Sequence, residues 1–181
     1  FEKIVYNHKD EIVKTFQELL QIPSVLDESD ASVGAPFGNN IRKALEYMLA
    51  KGKEDGFEVL NDEGYAGRIS YKCGNQKESV GILCHLDVVP EGNNWTYPPY
   101  EARIVDGKIF ARGTTDDKGP TIACYYALKF IKETNIKLKK DWEITSQFPS
   151  IPANLRYLPV NPHQYQSFNR KNLLQSIQNI V

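Results

Sequence analysis

Apolar positions recur at helical spacing in three stretches of the chain. Residues 9–21 place Ile12, Val13, Phe16, Leu19 and Leu20 on one face, and Pro23 ends the pattern. Residues 39–54 repeat it with Ile41, Ala44, Leu45, Met48 and Leu49, and Gly56 follows as a stop. Residues 120–133 start with Pro120 in a first turn and present Ala123, Tyr126, Ala127, Phe130 and Ile131 as an inner face. Between the second and third stretches the period changes. Residues 57–62 and 68–73 read as strands joined through Glu63-Gly64, and Gly74-Asn75 closes the second. Residues 80–84 form a short continuous apolar run, as expected of a buried central strand. Residues 102–105 and 108–111 flank Asp106-Gly107, a strong hairpin signal. Helical and extended segments alternate, which predicts a layered α/β domain.

Composition sets the outer bounds. A chain of 181 residues, 41% hydrophobic and 25% charged, suits one soluble domain with a real core. Its net charge of −1 implies neither nucleic acid nor an anionic membrane as partner, and no apolar run approaches spanning length. The opening residues hold no apolar signal core and no initiator Met, so the chain reads as cytoplasmic and as a fragment or processed product. Cys73, Cys84 and Cys124 are odd in number and form no C-x-x-C, the usage of reduced thiols. Nothing in the sequence indicates an oligomeric state. All but five charged residues precede position 141; the five are Asp141, Glu143, Arg156, Arg170 and Lys171. We therefore expect two parts, residues 1–140 and a divergent tail, 141–181. The tail ends in a helical pattern with Leu173, Leu174, Ile177, Ile180 and Val181 on one side.

Two clusters could carry chemistry. The first, Cys84-His85-Leu86-Asp87, follows the apolar strand, and strand C-termini are where α/β proteins place ligands. His85 could bind a metal through one ring nitrogen, while Asp87, two residues on, accepts the other ring N–H and fixes the tautomer. The tripeptide alone more often marks a hydrogen-bonded histidine with a capping aspartate. The second cluster, Gly113-Thr114-Thr115-Asp116-Asp117-Lys118-Gly119-Pro120, joins the hairpin to the third helix. Adjacent carboxylates there repel unless a cation or the helix N-terminus compensates. An N-cap with a solvated acidic neighbour also accounts for them.

Together with Trp95, Pro98-Pro99-Tyr100, Asp106-Gly107-Lys108 and Arg112-Gly113, the two clusters closely resemble the N-terminal motifs of the M20 metallopeptidases. Pro36-Phe37-Gly38, Ala44-Leu45-Glu46-Tyr47-Met48 and Gly64-Tyr65-Ala66-Gly67 are similar to the bacterial dipeptidase branch of that family. The resemblance covers roughly residues 8–140. It implies the layered α/β/α zinc-peptidase-like catalytic domain, here incomplete and without its lid domain. It implies hydrolysis of dipeptides or short peptides with two zinc ions. By the same resemblance His85 binds one zinc, Asp87 orients His85, Asp116 bridges both ions, and the Asp116–Asp117 peptide is cis.

The resemblance then breaks. In the family a strand like residues 142–145 leads into a Thr-Asp-Glu-Glu segment holding the general base and a zinc ligand. This chain reads Ile144-Thr145-Ser146-Gln147-Phe148-Pro149. Glu143 is the nearest acid, but it falls on the strand itself and reads as an exposed strand residue. Asn161-Pro162-His163-Gln164, then Asn172-Leu173-Leu174, is weakly similar to the family's C-terminal end, which would make His163 a last zinc ligand. The alternative is that residues after about 141 are frameshifted or unrelated sequence, which the shift in composition also suits. The expectation is a metal-dependent dipeptidase by ancestry that is inactive on its own. The alternative is a non-catalytic remnant that binds metal weakly at most.

Overall fold

The computed structural model describes residues 2–73, 78–147 and 167–169. Helix α1 spans Glu2–Asn7 and α2 spans Lys9–Leu20. The apolar face of α2 is buried as its spacing predicts, with Ile12, Phe16, Leu19 and Leu20 fully covered. Helix α3, Asn39–Glu54, buries the five apolar positions of its predicted face. Helix α4, Lys118–Glu133, begins two residues earlier than Pro120 suggested. Lys118 N–H donates to the Gly113 carbonyl at 3.1 Å, so the turn before the helix winds straight into it. Pro120 then sits within the first turn, where its missing N–H costs nothing. This helix also buries Ile122, Tyr125 and Leu128, because it lies between α2 and the sheet rather than on the surface.

A four-stranded sheet runs β1 (Glu58–Asp62), β2 (Ala66–Tyr71), β6 (Asp141–Gln147), β3 (Ser79–Cys84). β1 and β6 pair antiparallel with β2, and β3 pairs parallel with β6. Gly67, Ile69 and Ile144 face the helices. A Cβ on Gly67 would meet Leu45 and Leu49 of α3, so the absent side chain sets how closely that helix approaches. The opposite face carries Arg68 and Glu143, which reach each other at 3.9 Å, and Glu143 also pairs with Lys72 at 3.2 Å. A second sheet joins β4 (Arg103–Val105), β5 (Lys108–Phe110) and β7 (Ser167–Asn169), all antiparallel. Its hairpin turns at Asp106 and Gly107, both at positive φ (48° and 74°), the backbone of the tight turn read from the sequence. Among the described residues, no helix is long and apolar enough to cross a membrane.

One expectation needs correction. β3 is not central: it ends the described sheet with β6 as its one strand partner, and its residues alternate between exposed and covered. Leu83 remains 69% exposed. A short apolar run cannot by itself tell a central strand from one at an edge. β6 starts at residue 141 and inserts between β2 and β3. The expected tail helix and His163 lie outside the described residues.

Candidate metal site

The chain brings its two sequence clusters together at one end of β3. The strand ends at Cys84, and His85, Leu86 and Asp87 continue beyond it. Helix α4 begins beside them. His85 is half-buried, Asp87 is buried and Asp116 is exposed. The Nε2–H of His85 donates to Asp116 Oδ1 at 2.9 Å. Its Nδ1–H donates to the main-chain carbonyl of Asp87 at 3.1 Å, while the Asp87 carboxylate stands at 3.5 Å. Both oxygens of Asp87 that bear on the ring therefore lie on its Nδ1 side, and the carbonyl is the nearer.

Asp117 occupies the position before α4, but its carboxylate makes no capping bond to the helix. Its Oδ2 accepts the main-chain N–H of His85 at 3.1 Å. The helix start is held instead through its carbonyl, which accepts from Thr121 N–H at 2.9 Å and from the Thr121 hydroxyl at 2.8 Å. The two adjacent carboxylates thus serve different partners, one meeting the imidazole and the other the backbone beneath it. The peptide between them is cis.

The charges follow from these contacts. Burial disfavours the His85 cation, but the hydrogen bond to Asp116 and the bonds to Asp87 outweigh it and raise the pKa to about 10. The same bond from His85 holds the Asp116 carboxyl below its ordinary value. Burial pushes Asp117 up, opposed by the His85 N–H bond. Fully buried Lys118 is pushed down to about 7 by loss of water, opposed by the Asp87 charge.

Arg112, buried, clamps the loop above the site. It donates to the Glu91 carbonyl at 3.0 Å and lies over the Trp95 ring at 5.2 Å. The Glu91 carboxylate accepts the Tyr100 hydroxyl at 3.0 Å. Trp95, Tyr100 and Arg112 were legible as motif residues, whereas their mutual contacts were not. Gly119 is required where it stands, since a Cβ would collide with the Thr114 carbonyl. Glu143 points away from the site, into the Lys72 and Arg68 pairs.

The His85–Asp116 pair suits a cation on chemical grounds. An imidazole nitrogen and a carboxylate oxygen 2.9 Å apart can be spanned by one ion at ligand distances of about 2.0–2.2 Å. Among the described residues no group of three or more His, Cys, Asp or Glu side chains gathers to hold a metal.

This architecture, helices over a mixed sheet with a histidine–aspartate pair where β3 meets α4, is that of an M20-type catalytic domain in part. Residues 81–148 match the family model described as Peptidase family M20/M25/M40. The chain is 44% identical over 140 residues to a Bacillus subtilis (strain 168) protein named "Putative dipeptidase YtjP", covering 77% of this chain and 30% of that one. Among solved structures, human carnosine dipeptidase 1 superposes with a TM-score of 0.67 at 23% identity, over 81% of this chain and 33% of that one. The Bacillus subtilis YXEP protein, described as a dinuclear metal binding peptidase from the M20 family, does so with a TM-score of 0.55 at 14% identity, over 80% and 36%. At such identities these two likenesses show the fold. The chain belongs to the M20 peptidase family. It spans about a third of the length of the relatives it matches.

Proposed function

We propose that this chain carries the His85–Asp116 part of a two-zinc dipeptidase centre, and that these 181 residues alone turn over no dipeptide. The observation that supports the reading is the meeting of His85 Nε2 with Asp116 Oδ1 across 31 positions of sequence. His85 and Asp116 would hold the metal, and His163 would serve as a later ligand. The bound ions supply a polarised scissile carbonyl and a water acidic enough to attack near neutral pH. The chain's own groups prepare the ring. The Asp87 carbonyl accepts the Nδ1–H hydrogen bond and so keeps that proton on Nδ1, which leaves Nε2 as the ligand atom. Asp117 fixes the backbone of His85 from below. The substrate is a dipeptide or short peptide with a free N-terminus, and the compartment is the cytoplasm.

Absence of turnover follows from the end of β6. Ser146 pairs with Cys84, so β6 ends beside His85, where the family places its two glutamates. Ser146 and Gln147 cannot take a proton from water as a carboxylate does. That observation also favours a second reading, a non-catalytic remnant that binds metal weakly at most. Metal stoichiometry after zinc loading and desalting, paired with a dipeptide cleavage assay, separates the two. About two zinc per chain without turnover supports the first reading; one loosely held ion supports the second. Chelator-sensitive cleavage by a rigorously purified chain would falsify the predicted inactivity.

A further inference from the structure

Both halves of the site are tied to one short segment that neither motif includes. Residues 22–25 follow α2 and run past the strand end and the start of α4. The hydroxyl of Ser24 donates to the Leu86 carbonyl at 2.6 Å, and the Ser24 carbonyl accepts Val88 N–H at 2.9 Å. Val25 and Val88 form a parallel bridge. These bonds grip the backbone on either side of Asp87, just beyond His85. On the other half, the ammonium of Lys118 donates to the Leu19 carbonyl at 3.0 Å and to the Ile22 carbonyl at 2.7 Å. Lys118 follows Asp116-Asp117 directly, so its anchor fixes that turn.

The strap is built to be stiff. Ser24, Leu86 and Lys118 have no exposed surface. A buried carbonyl that loses its donor has no water to replace it, so the segment moves or the bond is kept. Pro23 restricts the backbone between the two attachment points. The Leu19 and Ile22 carbonyls also accept Ile22 N–H at 3.3 Å and Ser24 N–H at 2.9 Å, and the negative end of α2 favours a cation beside them, which explains why a lysine can be fully buried there.

We propose that Ser24 is a positioning residue of the candidate metal site, acting with Lys118 to hold His85 and Asp116 in register from one strap, residues 22–25. This rests on the metal reading above for its purpose, though not for its geometry. Ser24 touches neither the ring nor the carboxylate; it acts through the backbone that carries them.

The test uses the 181-residue chain in two states. In metal-free protein, the ring C–H resonances of the three histidines are assigned with His85→Ala and followed by carbon–proton NMR. In zinc titrations, affinity is measured by calorimetry. Ser24→Ala and Lys118→Met should each shift the His85 resonance and leave that of His8 in place. Each should weaken zinc binding on the order of 10-fold, the usual effect of removing a residue behind a ligand. Ser24→Thr keeps the hydroxyl and should restore both readouts. Val13→Ala, on α2 but outside the strap, controls for loss of stability: it should lower Tm and change neither readout. An unmoved His85 resonance in both Ser24→Ala and Lys118→Met overturns the strap, whatever zinc does. If His85→Ala leaves zinc affinity unchanged, the metal reading fails instead, and the His85 resonance still decides the strap.

Discussion

The Nε2 of His85 and the Oδ1 of Asp116 lie 2.9 Å apart, joined by a bond that ties the end of β3 to the start of α4. Without a cation, a proton occupies the space between them. A metal ion held by both groups would displace that proton. Added zinc should therefore raise the Tm of the wild-type chain, because a ligand that binds only the native state stabilises it, by about 2.7 kcal/mol at 100 times Kd. Asp116→Ala and His85→Ala should each abolish the shift. A thermal shift retained in both variants would place the metal elsewhere.

Glu11 reports on the packing of α2 against α4. It accepts from Lys129 at 2.8 Å and from the Tyr126 hydroxyl at 3.1 Å. Burial raises its pKa, but the bonds from Lys129 and Tyr126 outweigh it and bring it below the ordinary 4.5. A carboxyl lowered on folding contributes stability above its unfolded value and loses it as pH falls through the folded one. Lys129→Met should thus be less stable than wild type at pH 7, with the gap narrowing as pH falls below the ordinary 4.5 of the carboxyl. Urea midpoints at several pH values check this; a gap that does not change with pH excludes the pair as its source.

Gly119 marks the closest approach between the site turn and α4. A methyl group there would strike the Thr114 carbonyl, a backbone atom that cannot rotate away. Gly119→Ala should cost about 1–3 kcal/mol in stability, the range for overpacking. It should also weaken zinc binding, since the turn that shifts carries Asp116. Unaltered stability in chemical denaturation would contradict so close an approach.

Phe16 lies under the same turn. It is fully buried on α2, and its ring would come within 3.3 Å of a Cβ on Gly119. Phe16→Ala should destabilise the domain by about 3–5 kcal/mol through lost burial and the cavity left behind. Calorimetric unfolding tests this, and a loss under about 1 kcal/mol would mean that the pocket collapses around the smaller side chain.

What the sequence determined by itself was local. Period and punctuation gave the buried faces of α2 and α3, the Asp106-Gly107 turn, and the contents of both clusters, because these depend on neighbours a few residues apart. Motif spacing carried the family resemblance for the same reason. The tertiary structure decided which atoms meet. Asp117 stands where a helix cap would, yet its carboxylate bonds to His85 rather than to the helix. The apolar run of β3 lies at the end of the described sheet, since strand order depends on which segments cross over and not on their composition. Ser24 and Lys118 carry no signal that separates a surface serine or lysine from a buried one. Only the path of residues 22–25 between strand and helix gives them partners 62 and 96 positions away, and periodicity within a segment says nothing about contacts over such separations.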